Sequence, residues 1–168
     1  MATIRARKSA DGSLRYTVQI RIKKNGAQVY QESQTFARKQ AAQAWAMVAQ
    51  TYASLQRFSE AEQAYARASE LLPNQPPWLA DRADMLAMVN GQNTQGEPDR
   101  LIQRALEIDP QHLKSLALAG SSAYNRQDMD AALGYWRRAR ALTSDGGSFA
   151  TELDRSIAAA QAGARKLP

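Results

Sequence analysis

Apolar and small residues recur along most of this chain with a helical period, and the helical segments themselves repeat at an interval of about 34 residues. Ala61, Tyr65, Ala68 and Pro73 fall at the spacing A-x3-Y-x2-A-x4-P, and the same frame carried backwards places Trp45, Val48, Ala49 and Tyr52 on a preceding helix. A later copy has Leu116, Ala119, Gly120 and Ala123 on its first helix and Ala132, Trp136 and Ala139 on its second. Between them Leu79, Ala83 and Leu86 fit a first helix and Ile102, Ala105 and Pro110 a second, but Pro73 to Pro110 spans 37 residues. The excess is assigned to the turn from Asn90 to Pro98. Ala49, Ala61, Gly120 and Ala132 let paired helices approach closely, and Tyr65 and Trp136 fill the space against the neighbouring pair. Pro73 and Pro110 stop helices by removing a donor and restricting the residue before them. From Phe149 to Arg165, Leu153, Ile157 and Ala160 form one stripe, which predicts a helix covering the last repeat. The expected units are residues 42–75, 76–112 and 113–146, with a capping helix over 149–165.

The first quarter has a period of two instead. Tyr16, Val18, Ile20 and Ile22 alternate with Arg15, Thr17, Gln19, Arg21 and Lys23, and the turn signals Asp11-Gly12 and Asn25-Gly26 flank this run. Three antiparallel strands follow: Ile4 to Lys8, Leu14 to Lys23, and Gln28 to Thr35. One face is apolar and needs a cover, which Phe36 and a helix from near Ala37, carrying Ala41, Ala44 and Trp45, supply. The fold class expected is mostly α: three helical hairpins and a capping helix, preceded by a small three-stranded antiparallel sheet. The division falls at 1–44 and 45–168, with one continuous helix from about Ala37 to Leu55 bridging it.

Charge sharpens that division. Residues 1–44 hold nine Lys or Arg against two acids, net +7, while residues 45–168 hold thirteen against fourteen, net −1. A basic segment beside a balanced one predicts that the first quarter meets a polyanion and the remainder does something else. No cysteine is present, so disulfides, thiolate metal sites and thiol nucleophiles are excluded. No apolar run approaches the roughly 18 residues of a spanning helix, and the first residues lack the apolar centre of an export signal, so a cytoplasmic location is expected for the chain as written. The single histidine, His112, sits in a turn before a helix and reads as structural. Asp81 and Asp84, three apart, have no metal-ligand companions, and Trp78, Tyr135 and Trp136 read as packing residues. With no assembled nucleophile, base and oxyanion donor, the chain is read as a non-enzyme with no cofactor and no metal.

The 34-residue frame resembles tetratricopeptide (TPR) repeats. More specifically, the stretch RADMLAMVNGQNTQGEPDRLIQRALEIDPQHLKSLALAGSSAYNRQDMDAALGYWRRA, with its long N-G…Q-G-E-P turn and L-A-L-A-G-x-x-A-Y run, resembles the TPR domain of c-type cytochrome maturation proteins over about residues 45–160. That resemblance implies a groove for an extended peptide or protein C-terminus, such as that of an apocytochrome; the relatives are membrane-anchored and act outside the cytoplasm. First-helix positions alternating with the packing ones would line the groove: Gln50, Asp84, Met88, Lys114, Ser121, Tyr124 and Asn125. Lys114, with Arg82 as a second candidate, would pair with a peptide's terminal carboxylate.

Residues 1 to about 46 resemble the arm-type DNA-binding domain of phage and integrative-element tyrosine recombinases, on the start MATIRARKSADGSLRYTVQIRIKKNG, the T-F ending at Phe36 and the alanine-rich helix with A-x-x-A-W. This resemblance implies contacts of Arg5, Arg7, Arg15, Thr17, Gln19, Arg21 and Lys23 with double-stranded DNA, and an alternative function as a DNA-binding module with the repeats as support or partner-recruiting tail. The recombinase catalytic domain is missing. The two resemblances meet at Ala44-Trp45, which implies a fusion, natural or engineered as a chimera, joined inside a shared helix.

Overall fold

The structure is a computed structural model that describes residues 2–8, 14–24, 27–36 and 38–164; within the first forty positions, side chains are described at Arg5, Arg7, Lys8, Arg15, Thr17 and Gln40. The Asp11-Gly12 and Asn25-Gly26 turns, Arg165, and the side chains of Gln19, Arg21, Lys23 and Phe36 lie outside the described part.

Strands β1 (Ala2–Lys8), β2 (Leu14–Lys24) and β3 (Ala27–Phe36) form an antiparallel sheet in the order β1-β2-β3. Its register sets Arg5 opposite Thr17, Arg7 opposite Arg15 and Thr3 opposite Gln19. Across β2 and β3, Arg21 lies opposite Gln31 and Thr17 opposite Thr35, with a shift between Ile22 and Lys23. Directly opposed residues share a face and alternate residues along a strand return to it. Arg5, Arg7, Arg15 and Thr17 therefore occupy one face.

Helix α1 (Arg38–Ser54) begins directly after the sheet, lies against β2 and β3, and runs unbroken across residues 44–45. It pairs with α2 (Phe58–Leu71), α3 (Pro76–Val89) pairs with α4 (Glu97–Ile108), α5 (Leu113–Asn125) pairs with α6 (Met129–Ala141), and α7 (Ser148–Ala164) lies on α6. The residues expected to pack do so. Trp45, Val48, Ala49, Tyr52, Ala61, Tyr65 and Ala68 form one buried cluster. Leu79, Ala83, Ile102 and Ala105 join Ala119 in a second. Leu116, Ala123, Ala132, Trp136 and Ala139 join Leu153 and Ala160 of α7 in a third. Each cluster reaches beyond its own hairpin, so no hairpin completes its core alone.

The three hairpins share one device at their turns. Arg57, Gln92 and Asp128 each donate a backbone N–H to the carbonyl five residues earlier, on Tyr52, Ala87 and Ala123, at 2.9, 2.7 and 3.0 Å. The residues before them, Gln56, Gly91 and Gln127, have positive φ. This is a left-handed helix C-terminus of the Schellman kind. The middle hairpin starts its turn like the others, so its extra length lies after that closure, in residues 93–96 before α4.

Candidate peptide groove

Stacked hairpins expose the first helix of each pair along a common surface, here α1, α3 and α5. The spacing of the surface stripe follows the helix period: exposed Gln43, Met47 and Gln50 on α1, and half-buried Asp81 and Asp84 with exposed Met88 on α3. Adjacency of α3 and α5 is visible in one contact, the Lys114 ammonium of α5 reaching Asp81 Oδ1 at 2.7 Å and Asp84 Oδ2 at 2.8 Å on α3. The buried Tyr65 of α2 adds its hydroxyl, which donates to Asp81 Oδ2 at 3.0 Å. Burial first, and then the Asp81 charge, push the Tyr65 phenol well above its ordinary range, so it is neutral and a donor at neutral pH. Burial would lower the Lys114 pKa, but its hydrogen bonds to both aspartates outweigh that, and the ammonium is held above its usual value.

The expected groove residues divide into four kinds. Gln50, Met88, Ser121 and Asn125 are exposed on first helices, although the Ser121 hydroxyl donates to Ala117 O of its own helix at 3.1 Å. Asp84 and Lys114 are half-buried in the ion cluster. Tyr124 is partly committed to the core, its ring centroid 5.6 Å from that of Trp136. Arg82 turns to the second helix of the preceding pair, where Nε meets Glu62 Oε1 at 2.9 Å. Both cations expected to receive a terminal carboxylate thus already hold protein carboxylates. Sequence spacing shows which stripe a residue occupies, but the cross-helix partners of Lys114 and Arg82 depend on how the pairs stack. Asp81 and Tyr65 belong to the cluster, and the spacing of Asp81 to Asp84 on one helix face was the only sign of it in the sequence.

A second concavity, an open recess of about 670 Å³, is bordered chiefly by α2 with Trp45, Tyr52 and Arg82. Its arginines are each matched by a glutamate: Arg57 with Glu60, Arg67 with Glu70 and Arg82 with Glu62. Among the described residues no group of His, Asp and Glu is arranged to hold a metal ion, and no helix is long and apolar enough to cross a membrane.

His112 has the structural role expected of it. As N-cap of α5 its Nδ1 accepts from the Ser115 backbone N–H at 3.3 Å, an interaction that needs the neutral ring. Burial holds the imidazole below its ordinary pKa, outweighing the nearby Asp109 and Asp81. A depressed folded pKa means that stability from this cap is complete above the unfolded value, near pH 6.5, and is lost as pH falls through the folded one. Thermal melts at about pH 7.5 and about pH 5.5 are expected to show this loss, and His112→Asn, which caps without titrating, is expected to lessen it.

The chain matches the family described as "Cytochrome c-type biogenesis protein H TPR domain" over residues 34–147, a span that starts within β3 and ends after α6. It is 32% identical over 102 residues to the cytochrome c-type biogenesis protein CycH of Pseudomonas aeruginosa, covering 61% of this chain and 25% of that protein. The chain therefore spans about a quarter of the curated relative's length. Among solved structures, the TPR2B domain of yeast Sti1 in complex with an Hsp70 peptide has TM-score 0.64 at 20% identity, covering 73% of this chain and 98% of that one. The first TPR domain of Spaghetti (RPAP3), bound to an HSP90 peptide, has TM-score 0.62 at 18% identity, covering 74% and 95%. At these identities the likeness is one of fold.

Proposed function

We propose, from the premise that this chain belongs to the cytochrome c-type biogenesis protein H TPR-domain family, that it is a non-catalytic scaffold whose groove holds an extended peptide of an apocytochrome or a protein with a similar C-terminus. The observation that carries the reading is the surface of the first helices: exposed Met47 on α1, and on α3 exposed Met88 one turn from Asp84 of a half-buried ion cluster shared with α5. Apolar side chains that adapt in shape, with a few fixed charges to orient the ligand, suit capture of a peptide.

A second reading concerns the sheet, and its support is the register. Three arginines, Arg5, Arg7 and Arg15, share a face with Thr17. Arg5, Arg7 and Arg15 are exposed. Such a face suits phosphates and base edges, and in this reading residues 1–44 form a DNA-binding module of recombinase-arm type.

One titration tests both. Fluorescence anisotropy of the chain with a labelled apocytochrome C-terminal peptide is expected to saturate, and Arg7→Ala/Arg15→Ala is expected to leave that affinity unchanged. Labelled duplex DNA is expected to bind with a steep loss on raising salt and to weaken in the same double variant. Binding of DNA without any peptide binding would overturn the first reading; peptide binding with no DNA binding at low salt would overturn the second.

A further inference from the structure

The charge cluster of the groove does not balance. Two carboxylates, Asp81 and Asp84, meet one ammonium, Lys114, and leave one negative charge. Arg82 does not offset it, being matched by Glu62, and the neutral Tyr65 phenol and His112 ring add no positive charge. The surplus is placed unequally. Asp81 receives both the Tyr65 hydroxyl and Lys114, whereas Asp84 has Lys114 as its partner among the described residues. An ionised carboxylate offers about four lone-pair sites, so Asp84 retains most of its capacity. One turn further along the same stripe Met88 is 41% exposed, and on α1 Met47 is 68% exposed.

We propose, resting on the peptide-groove reading, that the partner peptide places a Lys or Arg side chain at Asp84 and sets apolar side chains against the exposed methionines of the first helices, with no requirement for its terminal carboxylate. A cation at Asp84 completes a row of alternating charge, Asp81, Lys114, Asp84 and ligand. A carboxylate at Lys114 would instead have to displace one of two aspartates held within 2.8 Å and then stand beside both. Opposed signs in a half-buried row reinforce one another, and a third anion on one ammonium is repelled. Unbranched thioethers adapt to the shape of what they meet, so the apolar part of the ligand is loosely specified and the cation fixes its register.

The test uses the full chain and fluorescein-labelled peptides: a Lys-containing apocytochrome C-terminal peptide, versions with each lysine singly changed to norleucine, and the C-terminally amidated form. Each is titrated into the wild-type chain, Asp84→Asn and Asp84→Glu, with circular dichroism melts to establish that each variant is folded. On the wild type one norleucine change is expected to cost about fivefold to tenfold in affinity, that difference is expected to vanish on Asp84→Asn and persist on Asp84→Glu, and amidation is expected to cost nothing. Equal affinity of all lysine variants for the wild type overturns the proposal, as does a norleucine penalty of the same size on Asp84→Asn or a tenfold loss on amidation. Failure of the unmodified peptide to bind at all is a separate result: it removes the peptide-groove reading and this inference with it.

Discussion

Gly120→Ala is expected to destabilise the chain by about 2 kcal/mol, read as a fall of about 4–8 °C in Tm, although alanine is the better helix former. A Cβ at position 120 would stand 2.4 Å from Trp136 Cδ1 and Nε1 and 2.8 Å from Cε2. These are atoms of a rigid ring, not the far end of a flexible side chain. Trp136 has little room to withdraw: it is 5% exposed, packs against Tyr124, and its Nε1 donates to Ala117 O at 3.1 Å on the same helix as Gly120. The clash therefore exceeds the roughly 1 kcal/mol that removal of a helical glycine returns. Gly134 on the facing helix supplies the contrast, because it is exposed and a Cβ there meets nothing within 4 Å. Gly134→Ala is expected to raise stability by up to about 1 kcal/mol, opposite in sign to the same change at Gly120. Thermal melts of the two variants beside the wild type check both.

Ser122→Ala is expected to cost about 2 kcal/mol through a different mechanism. The long turn of the middle hairpin is anchored to α5 by a saturated hydroxyl. Ser122 Oγ accepts from Thr94 Oγ1 at 3.0 Å and from Arg126 Nη1 at 2.8 Å, and donates to Asp99 Oδ1 at 3.1 Å. Ser122 and Thr94 are both buried. A serine hydroxyl has one proton and two lone pairs, and all three are used. Alanine keeps the packing volume nearly unchanged but leaves buried Thr94 without its acceptor and removes one of the two donors to Asp99, Arg126 remaining at 3.4 Å, which is the costly side of hydrogen-bond energetics. Denaturant titration should show a lower midpoint with an unchanged slope, and native-state hydrogen exchange should accelerate first in residues 93–98.

The packing of the helices was legible because it is periodic. Trp45, Tyr65, Ile102, Leu116 and Trp136 were all placed in the core by spacing alone, and the close approach at Gly120 followed from a small residue set opposite a large one. Strand order and pairing were legible from the alternation around Val18 and Ile20, and the shift between Ile22 and Lys23 was not, since nothing in that run interrupts the period. The stripe of surface positions on the first helices was legible, and the partners of its charged members were not. Lys114 stood on the right stripe, yet its engagement by Asp81 and Asp84 depends on the distance between neighbouring pairs, which the local sequence does not encode. Tyr124 was expected in the groove from its position in the repeat, and it packs partly against the core beside Trp136. The Thr94–Ser122 anchor was invisible for a similar reason, because 28 residues separate two small polar side chains of a kind usually found at the surface.

The family assignment and the groove come together in one claim, that an extended peptide binds along α1, α3 and α5. A two-dimensional amide NMR titration of the isotope-labelled chain with an unlabelled apocytochrome C-terminal peptide tests it most directly. The expected result is a saturable set of shift changes on the first helices, centred on Asp84, Met88, Lys114, Ser121 and Asn125 and extending to Met47 and Gln50, with α4 and α6 unmoved. Shift changes confined to α2, α4, α6 or the strands, or no change at saturating peptide, would contradict it.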